Sequence, residues 1–89
     1  MQLEHDLQAD AVYITLRDEA YSWGQDFDHR RRVDFGADNT PIGIELLLVS
    51  KGVDVTDLPE REAIIGLLHD RGIAINAPRP SADNRGTAA

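Results

Sequence analysis

No cysteine occurs among the 89 residues. That excludes disulfides and thiolate-bound zinc or iron–sulfur centres, and it removes any argument for an oxidising compartment. Long apolar runs are missing too: none approaches the roughly 20 residues that a membrane-spanning helix needs. The opening MQLEHDLQAD is charged where a signal peptide would be apolar, so the expectation is a soluble, cytoplasmic protein. Basic residues are scarce, with 9 Lys and Arg against 16 Asp and Glu and a net charge of −7. Such a chain is repelled by nucleic acid and by anionic membranes at long range. Neither is an expected partner, and no motif asks for a cofactor.

A chain this short buries only about 60–65% of its unfolded surface, which leaves its stability thin. With disulfides and thiolate metal sites excluded, the expected supplement is a second subunit.

What the sequence does contain is alternation. In AVYITLR (residues 11–17), Val12, Ile14 and Leu16 fall on one face and Ala11, Tyr13, Thr15 and Arg17 on the other, the period of a half-buried strand. Gln2 to His5 predicts a short strand before it, with Leu3 inward and Asp6 to Asp10 as the turn. Tyr21, Trp23, Gln25 and Phe27 share a parity opposite Ser22, Gly24, Asp26 and Asp28, which predicts a third strand with a bulge at Gly24. Arg31 to Phe35 places Val33 and Phe35 inward and Arg32 and Asp34 outward. Pro41 to Leu48 places Ile42, Ile44, Leu46 and Leu48 on one side, opposite Gly43, Glu45 and Leu47. Between these last two runs, Gly36, Asp38 and Asn39 have the chemistry of a hairpin turn. Reading Asp34, Asp38 and Asn39 as metal ligands would need the D-x-[DN]-x-[DN]-G spacing, which is not there.

After residue 56 the period changes. Asp57 as cap, Pro59 in the first turn and Glu60 as capping-box partner predict a helix near 58–71 that ends at Gly72. Its stripe is Leu58, Ile64, Ile65, Leu67 and Leu68. Ile73 to Ile75 fits either a short edge strand or apolar packing, and residues 77–89 lack large apolar side chains and are expected to be disordered. The fold class is therefore α+β: a four- or five-stranded, mostly antiparallel meander sheet with one C-terminal helix on its apolar face. Residues 1–76 form the single domain. Val12, Ile14, Leu16, Phe27, Val33, Phe35, Ile42, Ile44, Leu46, Ile64 and Leu68 are the expected core.

Two groups of residues suggest a family. Asp6, Ala9, Asp10, Ala11, Tyr13, Ile14 and Leu16 make up the first. Val33, Asp34, Phe35, Gly43, Ile44, Glu45, Leu46, Leu47, Ser50 and Lys51 make up the second. In this pattern residues 1–52 resemble the small bacterial domain-of-unknown-function family 2283. Leu7 stands where that family has proline, Gly36 where it has an acidic turn residue, and Leu48-Val49 where it has a more polar pair. The resemblance implies the strand-rich architecture and assigns no activity. Some relatives look like partners of small toxin-like proteins, which implies an antitoxin-type role as an alternative, with an acidic chain opposite a basic toxin.

The outward face would gather Tyr13, Thr15, Arg32, Asp34 and Glu45. As a site, it would use Asp34 or Glu45 as base and Arg32 for an anion, in a small hydrolase or lyase. As a wet sheet face, it would simply hold cross-strand charge pairs. No nucleophile–base pair accompanies these residues, so the second reading is favoured and no catalytic residue is assigned. His5, His29 and His69 lack ligand spacing, so no metal site is expected. In the run Arg30, Arg31, Arg32, the middle residue points away from the other two, and Asp26, Asp28 and Asp34 neutralise it. Spare apolar residues (Leu47, Val49 following it with the same parity, and the wide helix stripe through Ile65) favour a non-enzymatic interaction module. The expectation is a homodimer, or a complex with a small protein partner, that Lys or Glu at positions 47 and 65 would weaken.

Overall fold

Alternation in the sequence becomes alternation in burial. The computed structural model describes residues 1–76. Among them five strands form one sheet: β1 (Gln2–Asp6), β2 (Ala11–Thr15), β3 (Trp23–Asp28), β4 (Arg31–Phe35) and β5 (Pro41–Leu47). Val12 and Ile14 of β2, Val33 of β4, and Ile42, Ile44 and Leu46 of β5 are buried, as their parity predicts. All four pairings are antiparallel, in the order β1-β2-β5-β4-β3. The sheet is thus a β1–β2 hairpin set beside a β3–β4–β5 meander, and β5 lies at its centre. The expected disorder of 77–89 concerns residues outside those described.

Helix α1 (Arg61–Asp70) covers the apolar face. Ile64 and Leu68, four apart and so on one side of the helix, are fully buried in one cluster with Val12, Ile14, Ile44 and Leu46. Each stabilises the fold by about 1.5–3 kcal/mol relative to an exposed side chain. Ile65 and Leu67 flank them, half-buried. The helix begins three residues later than residue 58, where the capping pattern placed it. Leu58 precedes a proline, which disfavours helical backbone there, and instead plugs the core. Asp57 and Glu60 both take left-handed backbone, with φ of 60° and 54°. Glu60 makes no side-chain cap and gives its carboxylate to Arg17 at 2.7 Å.

Four further expectations are corrected. Phe27, placed in the core, is 43% exposed: it is the extra residue of a bulge between Asp26 and Asp28, on the outermost strand. The bulge therefore lies at Phe27 rather than Gly24. Leu16 and Phe35 only edge the core. Val49, expected on the wet face, is 3% exposed, because Leu48 turns left-handed (φ 55°) and starts a 3-10 turn over Val49–Lys51 that swings it inward. The residue 36–40 turn is as the sequence implies: the Gly36 amide donates to the Thr40 carbonyl at 2.9 Å, and Asn39 adopts φ 63°. Val53 and Ile75 form a lone parallel bridge, and Ile73 is buried beside it.

Candidate functional site: the polar sheet face

Strand register decides which outward residues meet. β2 sets Tyr13 opposite Glu45, β4 sets Arg32 opposite the same Glu45, and Asp34 faces Gly43. Because Gly43 carries no side chain, the Tyr13 ring crosses above it; a Cβ there would overlap the Tyr13 hydroxyl. That hydroxyl donates to Asp34 Oδ2 at 2.9 Å. The other oxygen of Asp34 accepts from Arg32 Nε at 3.3 Å. Arg32 also reaches Asp26 at 3.4 Å and the Tyr21 hydroxyl at 3.3 Å. Tyr13, Arg32 and Asp34 are therefore one connected network, with Glu45 beside it through strand pairing. Thr15 also pairs with Gly43.

Within this network the Tyr13 hydroxyl is held protonated. Burial, then the bond to Asp34 and the charges of Asp34 and Glu45, push the Tyr13 hydroxyl up to about 12, so it stays a donor at neutral pH. Asp34, the candidate base, has each oxygen engaged by a neighbour. Cross-strand pairs of this kind are worth about 0.2–1 kcal/mol each. Toward β1, an open groove of about 680 Å³ passes Tyr13 and Glu45, with Leu7 and Leu47 along it.

Two other clusters carry more structural weight than the sequence suggested. Arg31 shares the parity of Val33, faces the apolar side and is 7% exposed. Its guanidinium donates to Asp28 Oδ2 at 2.9 Å and to the carbonyls of Asp54 (2.9 Å) and Thr56 (2.7 Å), and it stands 4.8 Å from the centre of the Phe27 ring. It ties the sheet to the segment that leads into α1. Its parity was the signal that it belongs inside. In the second cluster, Asp10 (φ 55°) accepts from the Ser50 amide at 2.8 Å and from its hydroxyl at 2.5 Å. Chiefly the hydroxyl bond holds this carboxyl below its ordinary range. Forty residues apart in sequence, the pair pins the β1–β2 turn to the 3-10 turn.

The histidines do not converge: His5 lies on β1, His29 in the β3–β4 turn and His69 at the end of α1. Among the described residues no group of three or more His, Asp or Glu is arranged to hold a metal ion, and no helix is long and apolar enough to cross a membrane. Comparison of the chain with protein-family models, curated proteins and solved structures gives no match.

Proposed function

We propose that this chain is a small, non-enzymatic interaction module that works as a homodimer in the cytoplasm. The observation that carries the reading lies on the apolar side of β3. There Trp23 and Phe27, on an outer strand beyond the helix, are 39% and 43% exposed. Two aromatic side chains partly exposed on one sheet edge support an association surface there. The polar face supports the same reading, since Tyr13, Arg32 and Asp34 are engaged with one another. The resemblance to family 2283 is kept as part of the proposal: Asp10, Tyr13, Asp34, Gly43 and Ser50, which carry it, are the residues that lock strands and turns together. Light scattering on a dilution series of the purified chain tests the proposal, with a mass of two chains as the expected result.

The net charge of −7 favours a second reading, in which the chain neutralises a small basic protein as an antitoxin does. Affinity capture from the native host, with a salt wash, separates the two: a stoichiometric basic partner released by salt supports the second.

A further inference from the structure

We infer that two copies join edge to edge through β3, pairing antiparallel about a two-fold axis at Gln25 to make a continuous sheet of ten strands, five from each copy. This rests on the homodimer reading and names its interface.

Two strands end the sheet, β1 and β3, and an outer strand leaves one side of its backbone amides and carbonyls unpaired. β1 is a poor joint. Its outward residues are Gln2, Glu4 and Asp6, so two-fold pairing would bring carboxylates together, and Arg71 reaches over to the Leu3 carbonyl at 3.5 Å. β3 reads WGQDFD, and it complements itself. Only registers that keep the apolar faces on one side are allowed, because a one-residue slip exchanges the faces. Centring the axis on Gln25 sets Trp23 opposite Phe27 of the partner subunit and Gly24 opposite Asp26 of the partner subunit. Moving the centre to Asp26 would set two carboxylates face to face, which is destabilising. Moving it to Gly24 would leave both Phe27 rings outside the joint.

Both faces of the Gln25 register are complementary. On the apolar side, Trp23 is already stacked on Phe35, with ring centres 4.3 Å apart and planes 14° from parallel. Phe27 of the partner subunit extends that stack, beside a cleft of about 270 Å³ that the chain's own Phe27 lines with Gln25, Val33, Phe35 and Pro41. On the polar side, the space over Gly24 holds the Arg32 guanidinium together with the Asp34 carboxylate bonded to it, and Asp26 of the partner subunit arrives beside that guanidinium. Asp26, its side chain 74% exposed and held by its own Arg32 only at 3.4 Å, bridges from there to the partner's Arg32. The missing side chain at Gly24 is what lets both groups reach the spot. The bulge at Phe27 confines the joint to the stretch from Trp23 to Phe27, and because a two-fold contact uses the same edge of both copies, it closes on two.

A chain without native cysteine allows a clean test. In the Gln25→Cys variant the two thiols face each other across the axis, within the 4.4–6.8 Å Cα separation that a disulfide spans. Leu7→Cys, 81% exposed at the end of β1, reports collision alone. Mild oxidation should convert Gln25→Cys to covalent dimer at least about tenfold faster than Leu7→Cys. Gln25→Lys, which sets like charges opposite each other, should weaken dimerisation by up to about fivefold with an unchanged far-ultraviolet spectrum. Emission from Trp23, the single tryptophan, should shift to the red on dilution. If the native chain is a dimer but Gln25→Cys links no faster than Leu7→Cys, or Gln25→Lys dimerises as tightly as the native chain, the β3 joint is overturned and the homodimer stands. A native monomer overturns both.

Discussion

Replacing Arg31 by Met is the sharpest probe of what holds this small domain together. The substitution keeps an unbranched apolar stem against Phe27 and removes the guanidinium. It removes the bonds that the carbonyls of Asp54 and Thr56 accept at 2.9 and 2.7 Å, and the one that the Asp28 carboxylate accepts at 2.9 Å. Bonds to a charged donor contribute about 1.5–3 kcal/mol each. Asp28 keeps a side chain 35% exposed, so water recovers much of its share, and the carbonyls can turn partly to solvent. The expected loss is about 3 kcal/mol. Domains of this size are stable by about 4–11 kcal/mol, and 1 kcal/mol moves the Tm by about 4–8 °C. The variant should therefore melt about 12–24 °C lower. Arg32→Met is the internal control: it loses the largely exposed Asp26 and a 3.3 Å bond to Asp34, which keeps the Tyr13 hydroxyl, and with the Arg32 side chain itself 39% exposed such pairs contribute at most about 1 kcal/mol each. Urea unfolding followed by circular dichroism gives both values. Equal losses for the two variants, or a loss below about 1 kcal/mol for Arg31→Met, would refute the assignment of Arg31 as the tie between sheet and helix.

Other outcomes follow from the same geometry. Tyr13 ionises at about 12 in the folded chain against an ordinary 10.0, so its contribution is complete below pH 10 and fades as pH rises toward 12. Phenolate absorbance should show one late-titrating tyrosine that Tyr13→Phe removes. For Asp28, burial opposes ionisation, but bonds from the Arg30 amide and the Arg31 guanidinium outweigh it and hold the carboxyl below 3.8. Its stabilisation is thus present above that pH and lost as the pH falls further, and Asp28→Asn should flatten the acid limb of the stability curve. Gly43→Ala should push Tyr13 off its seat, at a cost of about 1–3 kcal/mol. In the Tyr13→Ala background the same change should cost much less, as a double-mutant cycle would measure.

The strands were legible because burial on one face writes itself into every second residue. Val12, Ile14, Val33, Ile44 and Leu46 needed nothing else. Strand order was not legible in that way: that β2 lies beside β5 depends on pairings from Thr15–Gly43 to Ala11–Leu47, 28 to 36 residues apart, which no local pattern records. The helix start was obscured because Asp57, Pro59 and Glu60 have capping chemistry, while Pro59 bars helix from Leu58 and Leu58 is wanted in the core. Phe27 has the parity of a core residue but sits on a bulged outer strand beyond the reach of α1. The polar face was visible as a set of residues sharing a side. The single bond from Tyr13 across Gly43 to Asp34 was not, since it requires the register of three strands. Arg31 could have been recognised from its parity with Val33, although its sequence neighbours Arg30 and Arg32 make it look like part of a solvated run.

The central claim, that the chain functions as a pair, meets its most direct test in the molar mass of the native protein in solution. Light scattering across a dilution series should give the mass of two chains at high concentration, falling toward one on dilution as Trp23 emission moves to the red. A well-folded species with the mass of one chain at every concentration would contradict the account.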